Sequence, residues 1–215
     1  MTNGGQDYTE VLNLLPHLRA LVGTDIRFGR DELSPSIPLP LRQIWCQPGV
    51  GCDIRVICQL VEGCAPTLEI FWLDANCVRG GDELDTMPTP VLLPRLRHVR
   101  LGSNAFKAME GPLYGEATAY LAMLMGYFAQ PSVETLLIGL WQDGLQVVLD
   151  DLMPRIEDAN QLMKLKTVTL IVNEDTSEHI SPDSIASMPT FIEAKAVAAE
   201  KGVELYVKNE AFTGA

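Results

Sequence analysis

Leu68-Glu69-Ile70-Phe71-Trp72-Leu73-Asp74-Ala75-Asn76 is the stretch of this chain that decides its fold. Apolar residues stand at its first, fourth and sixth positions and an asparagine at its ninth, and the same arrangement returns at 96–104 and 165–173. Because side chains alternate along a strand, each copy predicts a short strand with one buried and one exposed side. The asparagine stands where the chain leaves the strand, and its amide is expected to bond backbone groups of the following turn.

Four weaker copies of this pattern keep the apolar positions and lack the asparagine. They comprise Leu18, Leu21 and Gly23; Leu41, Ile44 and Cys46; Val133, Leu136 and Ile138; and Gly202, Leu205 and Val207. With them, the central apolar residue falls at positions 21, 44, 71, 99, 136, 168 and 205, at spacings of 23, 27, 28, 37, 32 and 37 residues. Seven irregular repeats therefore cover nearly the whole chain.

This recurring apolar pattern is typical of leucine-rich repeats. We therefore expect an α/β fold: a leucine-rich-repeat-like solenoid in an irregular horseshoe arc, with a parallel sheet of about seven strands on its concave face and helices on its convex face. One domain would span 1–215, with a flank at 1–17, repeats at 18–209 and a tail at 210–215. The alternative is an α/β enzyme with a doubly wound sheet, and strand order decides between the two.

Between the strands the apolar period lengthens from two to about 3.6 residues, which predicts helices that return the chain. Pro154 lies inside the third helix and predicts a kink or a split, because proline lacks a backbone donor and clashes with the preceding turn. Ser181-Pro182-Asp183 resembles a helix N-cap followed by proline, and Gly202 stands where the last helix should stop. The predicted helices are Asp53–Cys64, Glu116–Ala129, Leu145–Met163 and Phe191–Lys201.

The composition of the 215-residue chain favours one well-buried core, since 47% of the residues are hydrophobic and the mean hydropathy is +0.11. It has 16 basic and 28 acidic residues, a net charge of -12. Nucleic acid and anionic membranes are therefore not expected as partners, whereas a basic protein surface would be attracted. No apolar run approaches the roughly 20 residues of a membrane span and the start lacks signal-peptide features, which predicts an intracellular protein, cytoplasmic or nuclear.

Motifs that carry chemistry are missing from the sequence, so neither catalysis nor a cofactor or metal is expected. We find no Gly-x-Ser-x-Gly elbow, phosphate-binding loop, His-Glu-x-x-His or dinucleotide-binding motif. The acidic pair Asp150-Asp151 and the acidic loop at 82–85 are interpreted as solvated surface. Glu174-Asp175 directly follows a predicted strand, at the end where ligands often bind in open α/β sheets, and is kept as an alternative ligand site. The cysteines form no Cys-x-x-Cys pair and are interpreted as reduced, buried thiols. They are Cys46, Cys52, Cys58, Cys64 and Cys77.

Alternation along the strands also assigns the residues of the concave face. Two tryptophans fall on neighbouring strands and an arginine on the next, and these residue types dominate binding hot spots. Because adjacent strands lie about 4.8 Å apart, Trp45 and Trp72 are expected to form one aromatic patch. Alternatively, a terminal segment or the loop Leu33–Pro40 buries a tryptophan. The predicted protein-binding residues are Trp45, Trp72, Asp74, His98, Arg100, Thr169 and Tyr206.

Two stretches, Gly63–Leu73 and Leu93–Leu101, resemble the irregular repeats of F-box proteins with leucine-rich repeats, especially the divergent fungal type. The resemblance implies a protein-protein interaction scaffold that serves as the substrate-recognition part of a ubiquitin ligase. In that family an amino-terminal F-box docks onto the Skp adaptor of a cullin-RING ligase, and the repeat face holds the substrate. No Leu-Pro-x-Glu opening precedes the repeats here, so a Skp-type adaptor is expected as a partner only if an F-box exists upstream.

Overall fold

The computed structural model is an α/β protein with one seven-stranded, all-parallel sheet. The structure describes residues 17–26, 39–48, 54–73, 89–102, 122–140, 144–173 and 181–210. Its strands lie side by side in chain order. They are β1 (Ala20–Ile26), β2 (Gln43–Pro48), β3 (Ile70–Leu73), β4 (His98–Leu101), β5 (Thr135–Leu140), β6 (Thr167–Asn173) and β7 (Glu204–Glu210).

The register of the sheet places the central apolar residue of each repeat beside that of the next. From β1 to β7 the paired residues are Leu21, Ile44, Phe71, Val99, Leu136, Val168 and Leu205. The prediction of seven parallel strands stacked in chain order is therefore confirmed. The order of these described strands contains no switch point, which is where a doubly wound sheet opens its ligand crevice.

Helices connect several of the strands and pack against one side of the sheet. They are α1 (Ile54–Gly63), α2 (Gly144–Glu157), α3 (Pro182–Ala186) and α4 (Pro189–Glu200), and residues 122–128 are also helical. Each of the four predicted helices coincides with one of these, although the first residues of the second prediction lie outside the described ranges. Within those ranges, no helix has both the length and the apolar character that a bilayer span requires.

The helix α2 runs through Pro154, so of the kink or split predicted at this residue the split does not occur, and the kink stays a prediction. The proline lies in the last turns of the helix, and the Asp158 N–H still donates to its carbonyl at 3.0 Å. The helix ends six residues before the predicted Met163, because local contacts replace the helical ones: Asp158 Oδ1 accepts from the Asn160 N–H at 2.9 Å, and Leu162 adopts a positive φ of 24°. The hydrogen bond from the Asn160 backbone is the main reason why the pKa of Asp158 lies below its ordinary value.

The start of α3 and the end of α4 lie at the capping residues that the sequence predicts. Ser181 Oγ accepts from the Ser184 N–H at 3.1 Å, which confirms the N-cap. At the other end, Gly202 has a φ of 74°, which glycine adopts without steric cost. The Val203 N–H then returns to the Ala198 carbonyl at 2.9 Å, so a Schellman motif ends α4.

Buried side chains from the sheet and the helices form one hydrophobic core. At its centre Phe71 of β3 stacks on Phe128 with ring centroids 4.1 Å apart, and Tyr127 lies 5.1 Å from Phe128. Because the core contains the central apolar residues of all seven strands, the helices cover the face of the sheet to which those residues point. The other face is the one that the alternation predicts to be concave.

Of the predicted buried thiols, Cys46, Cys58 and Cys64 are buried and form no disulfide, as predicted. The remaining two, Cys52 and Cys77, lie outside the described residues. Asn76 and Asn104 of the pattern also lie outside the described residues, and so does the side chain of Asn173. The role of these three asparagines in the turns therefore stays a prediction.

Polar side chains attach the third repeat to the second and the fifth repeat to the fourth. Thr67 Oγ1 donates to the Leu41 carbonyl at 2.8 Å, and at the equivalent position two repeats later Ser132 Oγ donates to the Leu93 carbonyl at 2.8 Å. Gln130 adds a buried amide, which accepts from the Leu93 N–H at 2.7 Å. These contacts fix the backbone just before the strands begin, where the ladder cannot satisfy it.

Candidate functional site

The candidate site lies on the face of the sheet opposite the described helices, called here the outer face. Buried and outward residues alternate along the strands, most regularly in β3 and β4. Strand register aligns the outward residues into rows that run across the sheet. The middle row contains, from β1 to β7, Val22, Trp45, Trp72, Arg100, Leu137, Thr169 and Tyr206. Five of the seven predicted site residues therefore share one row.

Trp72 contacts both Trp45 and Arg100, and these three residues are called the aromatic cluster. The two indole rings meet edge to face, with centroids 5.4 Å apart and an interplanar angle of 71°. The guanidinium carbon of Arg100 lies 5.6 Å from the centroid of Trp72, within the range of a cation–π contact. The expected juxtaposition of the tryptophans is confirmed. Trp45 keeps 41% of its surface exposed, whereas Trp72 is half-buried.

The other predicted residues lie on the outer face but do not join the aromatic cluster. His98 stands one row nearer the strand starts, half-buried, with its Nδ1 2.6 Å from Thr135 Oγ1. Thr169 is half-buried in β6, two strands from Arg100. Asp74 lies outside the described residues. Of the predicted protein-binding residues, three therefore form the aromatic cluster and the other described ones lie apart from it.

Tyr206 forms a second, smaller group at the β7 edge of the sheet. It is 38% exposed, its hydroxyl donates to Glu204 Oε2 at 2.8 Å, and the Lys208 Nζ lies 5.5 Å from its ring centroid. The hydrogen bond to the Glu204 carboxylate is the main reason why the pKa of Tyr206 is raised. Three strand spacings, about 14 Å, separate this group from Arg100.

A row of charged residues at the strand starts was missed by the sequence reasoning. Ion pairs join Arg42 Nη1 to Glu69 Oε1 at 3.7 Å, Arg97 Nε to Glu134 Oε1 at 3.8 Å, and Lys166 Nζ to Glu134 Oε2 at 2.7 Å. The hydrogen bond from Lys166, assisted by the nearby positive charges, holds the pKa of Glu134 below its ordinary value. Each of these residues stands two positions before the central apolar residue of its repeat, which is the signal that could have revealed the row.

The described part of the outer face presents groups that make apolar, cation–π and hydrogen-bond contacts. Aromatic surface, one guanidinium group and several hydroxyl groups face outward, and among the described residues no three His, Cys, Asp or Glu side chains are grouped as metal ligands. The strongly perturbed thiol, Cys64, lies in the core, where burial raises its pKa to about 12. The arrangement therefore fits the recognition of another molecule by surface complementarity.

No protein-family model matches the chain, and no significantly similar curated protein or solved structure was found. The order of the strands and the geometry of the outer face are therefore the observations from which function is inferred.

Proposed function

We propose that the chain is a leucine-rich-repeat-like solenoid that binds another protein through the outer face of its sheet. Support for the solenoid comes from the chain-order stacking of seven parallel strands with equivalent apolar residues in register. When repeats contact only their neighbours, the sheet presents a long continuous surface, and repeat proteins use such surfaces for recognition.

The observation that carries the binding proposal is the aromatic cluster. Tryptophan and arginine are the residue types most enriched among binding hot spots, and here they stand on three adjacent, hydrogen-bonded strands. Their backbone is held by the ladder and their rings by contact with one another. A partner would therefore meet a surface that loses little conformational entropy on binding.

Affinity capture with and without the cluster tests this proposal. Wild-type protein and the double variant Trp72→Ala/Arg100→Ala are used as paired baits, and proteins retained by the wild type, whether or not the variant also retains them, are purified and titrated by calorimetry. Each single substitution is expected to weaken the confirmed partner about tenfold or more, because hot-spot truncations typically cost at least 1–2 kcal/mol.

Two exposed residues of α4 provide matched controls. Ile192→Ala removes an exposed apolar side chain and Lys195→Ala removes an exposed cation, both on the side of the molecule that carries the helices. Neither should change the affinity. Unchanged affinity of both Trp72→Ala and Arg100→Ala would exclude the aromatic cluster as the binding hot spot.

The link to a ubiquitin ligase stays a prediction based on the family resemblance. It is tested separately by co-purification from cells that express the authentic full-length transcript. Retention of a Skp-type adaptor and a cullin would support it. Repeated recovery of a partner without either would remove the ligase link while leaving the binding surface in place.

A further inference from the structure

A groove runs between α2 and α4, on the side of the molecule that carries the helices. Its volume is about 350 Å³, within the size range of ligand pockets, about 300–1,000 Å³. The helix α2 lines it with Asp150, Met153 and Glu157, and α4 lines it with Glu193 and Val197. Because residues three, four and seven apart share one face of a helix, each helix presents these side chains to the groove together.

The interior of the groove is apolar. Leu149 and Ala194 are buried where they line it, and Met153 and Val197 are half-buried. An apolar side chain that enters the groove would therefore remove apolar surface from water, which favours binding.

The described residues that line the groove include three carboxylates and no basic side chain, a local charge of -3. They are Asp150, Glu157 and Glu193, all exposed. Asp150 accepts a neutral donor, Gln146 Nε2, at 2.6 Å. Within the described part of the chain, no ion pair involves Glu157 or Glu193. The nearby Lys201 Nζ donates to the backbone carbonyl of Glu157 at 3.4 Å rather than to its carboxylate.

The spacing of the carboxylates favours several cations over a single one. Asp150 and Glu157 are seven residues apart on α2, which corresponds to about 10 Å along its axis. In the described ranges, no three His, Cys, Asp or Glu side chains are grouped as ligands for one metal ion. Two cationic side chains of one partner can instead approach one carboxylate each, and the field of the groove attracts them.

We propose that this groove binds a linear basic segment of a partner protein, in which an apolar side chain stands between two lysine or arginine residues. The apolar side chain packs on Met153 and Val197, and the cations approach the carboxylates of Asp150, Glu157 and Glu193. Complementarity of both charge and polarity selects this occupant, and the net charge of -12 attracts it over a longer range. The inference concerns a second surface and does not rest on the binding proposed for the outer face.

The separation of the carboxylates sets the separation of the cations in the segment. A distance of about 10 Å equals about three residues of an extended chain or seven residues of a helix. Ligands of the groove should accordingly carry two Lys or Arg residues at one of these separations, with an aliphatic or aromatic residue between them.

Selection from a random dodecapeptide phage library, with the immobilised full-length protein as bait, tests the inference. Selected peptides are synthesised and titrated at low salt by fluorescence anisotropy, and basic peptides with the central apolar residue are expected. Glu157→Lys/Glu193→Lys should weaken their binding about tenfold or more, because two attractions become repulsions. Glu62→Lys/Glu200→Lys is the matched control: it changes the net charge equally at exposed helical positions that do not line the groove, and it should change the affinity less than about twofold.

A second pair of variants tests the apolar part of the groove. Val197→Ser should weaken the same peptides about threefold or more, because less apolar surface is buried on binding. Ile192→Ser, which changes an exposed apolar residue of α4 that does not line the groove, should bind like the wild type. Thermal unfolding of each variant verifies that it is folded.

The outcomes separate this inference from the proposed function. Peptides that lose affinity for Trp72→Ala but bind Glu157→Lys/Glu193→Lys like the wild type are ligands of the outer face. A selection that yields only such peptides, or no peptide, would overturn the inference without deciding the proposed function. Peptides weakened by the charge reversals but not by Val197→Ser would show binding by charge alone and would also overturn it. Self-association that sedimentation shows to be abolished by the charge reversals would identify a second copy of the chain as the occupant, with the same consequence.

Discussion

A single buried amide, that of Gln130, serves backbone groups from two segments of the chain. It accepts from the Leu93 N–H at 2.7 Å and donates to the Val91 carbonyl at 2.6 Å and the Tyr127 carbonyl at 3.0 Å, with 7% of its surface exposed. Gln130→Ala removes all three bonds in a dry environment. We expect it to lower the free energy of unfolding by about 2–4 kcal/mol, measured by urea denaturation.

The matched control for this amide is Gln146→Ala on α2. Gln146 is exposed and its amide bonds Asp150 on the same helix at 2.6 Å, so its loss should change stability by about 0.5 kcal/mol or less. Equal effects of the two substitutions would show that the Gln130 bonds do not stabilise the fold.

The thiol of Cys64 makes stability depend on pH in the alkaline range. Burial raises its pKa from 9.0 to about 12, and a hydrogen bond with the Leu41 backbone only partly opposes this. Above pH 9 the unfolded chain releases the proton while the folded protein keeps it, so the free energy of unfolding falls as the pH rises. Cys64→Ala should make this decline shallower between pH 9 and pH 12 in denaturant titrations. The same slope in both proteins would contradict the assignment.

At the scale of elements, the row of charges at the strand starts links neighbouring strands. Glu134 lies between Arg97 and Lys166, so Glu134→Lys would place three cations side by side. The melting temperature should fall, and it should fall more at low than at high salt, because salt screens exposed charges. Glu134→Gln, which removes the charge without reversing it, should show a smaller effect. A loss of stability that is independent of salt would contradict this electrostatic explanation.

The strands could be predicted from the sequence, whereas the end of α2 and the row of charges at the strand starts could not. A two-residue period with apolar residues at fixed offsets is a local signal, so Phe71 and Val99 identify their strands directly. The end of α2 depends on Asp158 and on the backbone conformation of Leu162, neither of which changes the apolar period. The charged row escaped notice because its members are more than 25 residues apart and are connected only by their common position two residues before the central apolar residue of each repeat.

At the scale of the whole molecule, chain-order stacking predicts a graded resistance to opening. The outer strands of the described sheet, β1 and β7, have one hydrogen-bonded neighbour each, whereas β3, β4 and β5 have two. Peptides that cover β3 to β5 should therefore show the slowest amide hydrogen exchange by mass spectrometry, and β1 the fastest among the strands. Equal protection of β1 and β4 would indicate that the sheet opens as one unit.

The same chain order explains how far the site could be predicted. Once strands neighbour each other in sequence order, alternation alone brings Trp45 beside Trp72. The edge-to-face angle of the rings and the position of Arg100 over Trp72 could not be predicted, because they depend on side-chain rotamers that the surrounding packing selects.

Neighbour-only pairing of the strands also affects how a gene for such a protein can evolve. Duplication or loss of a segment with one strand and its return connection leaves every other strand pair unchanged. The connections already differ in length, with 23 to 37 residues between central apolar positions, while the ladder keeps its register. Related genes are therefore expected to gain or lose whole units, and to place smaller insertions between strands.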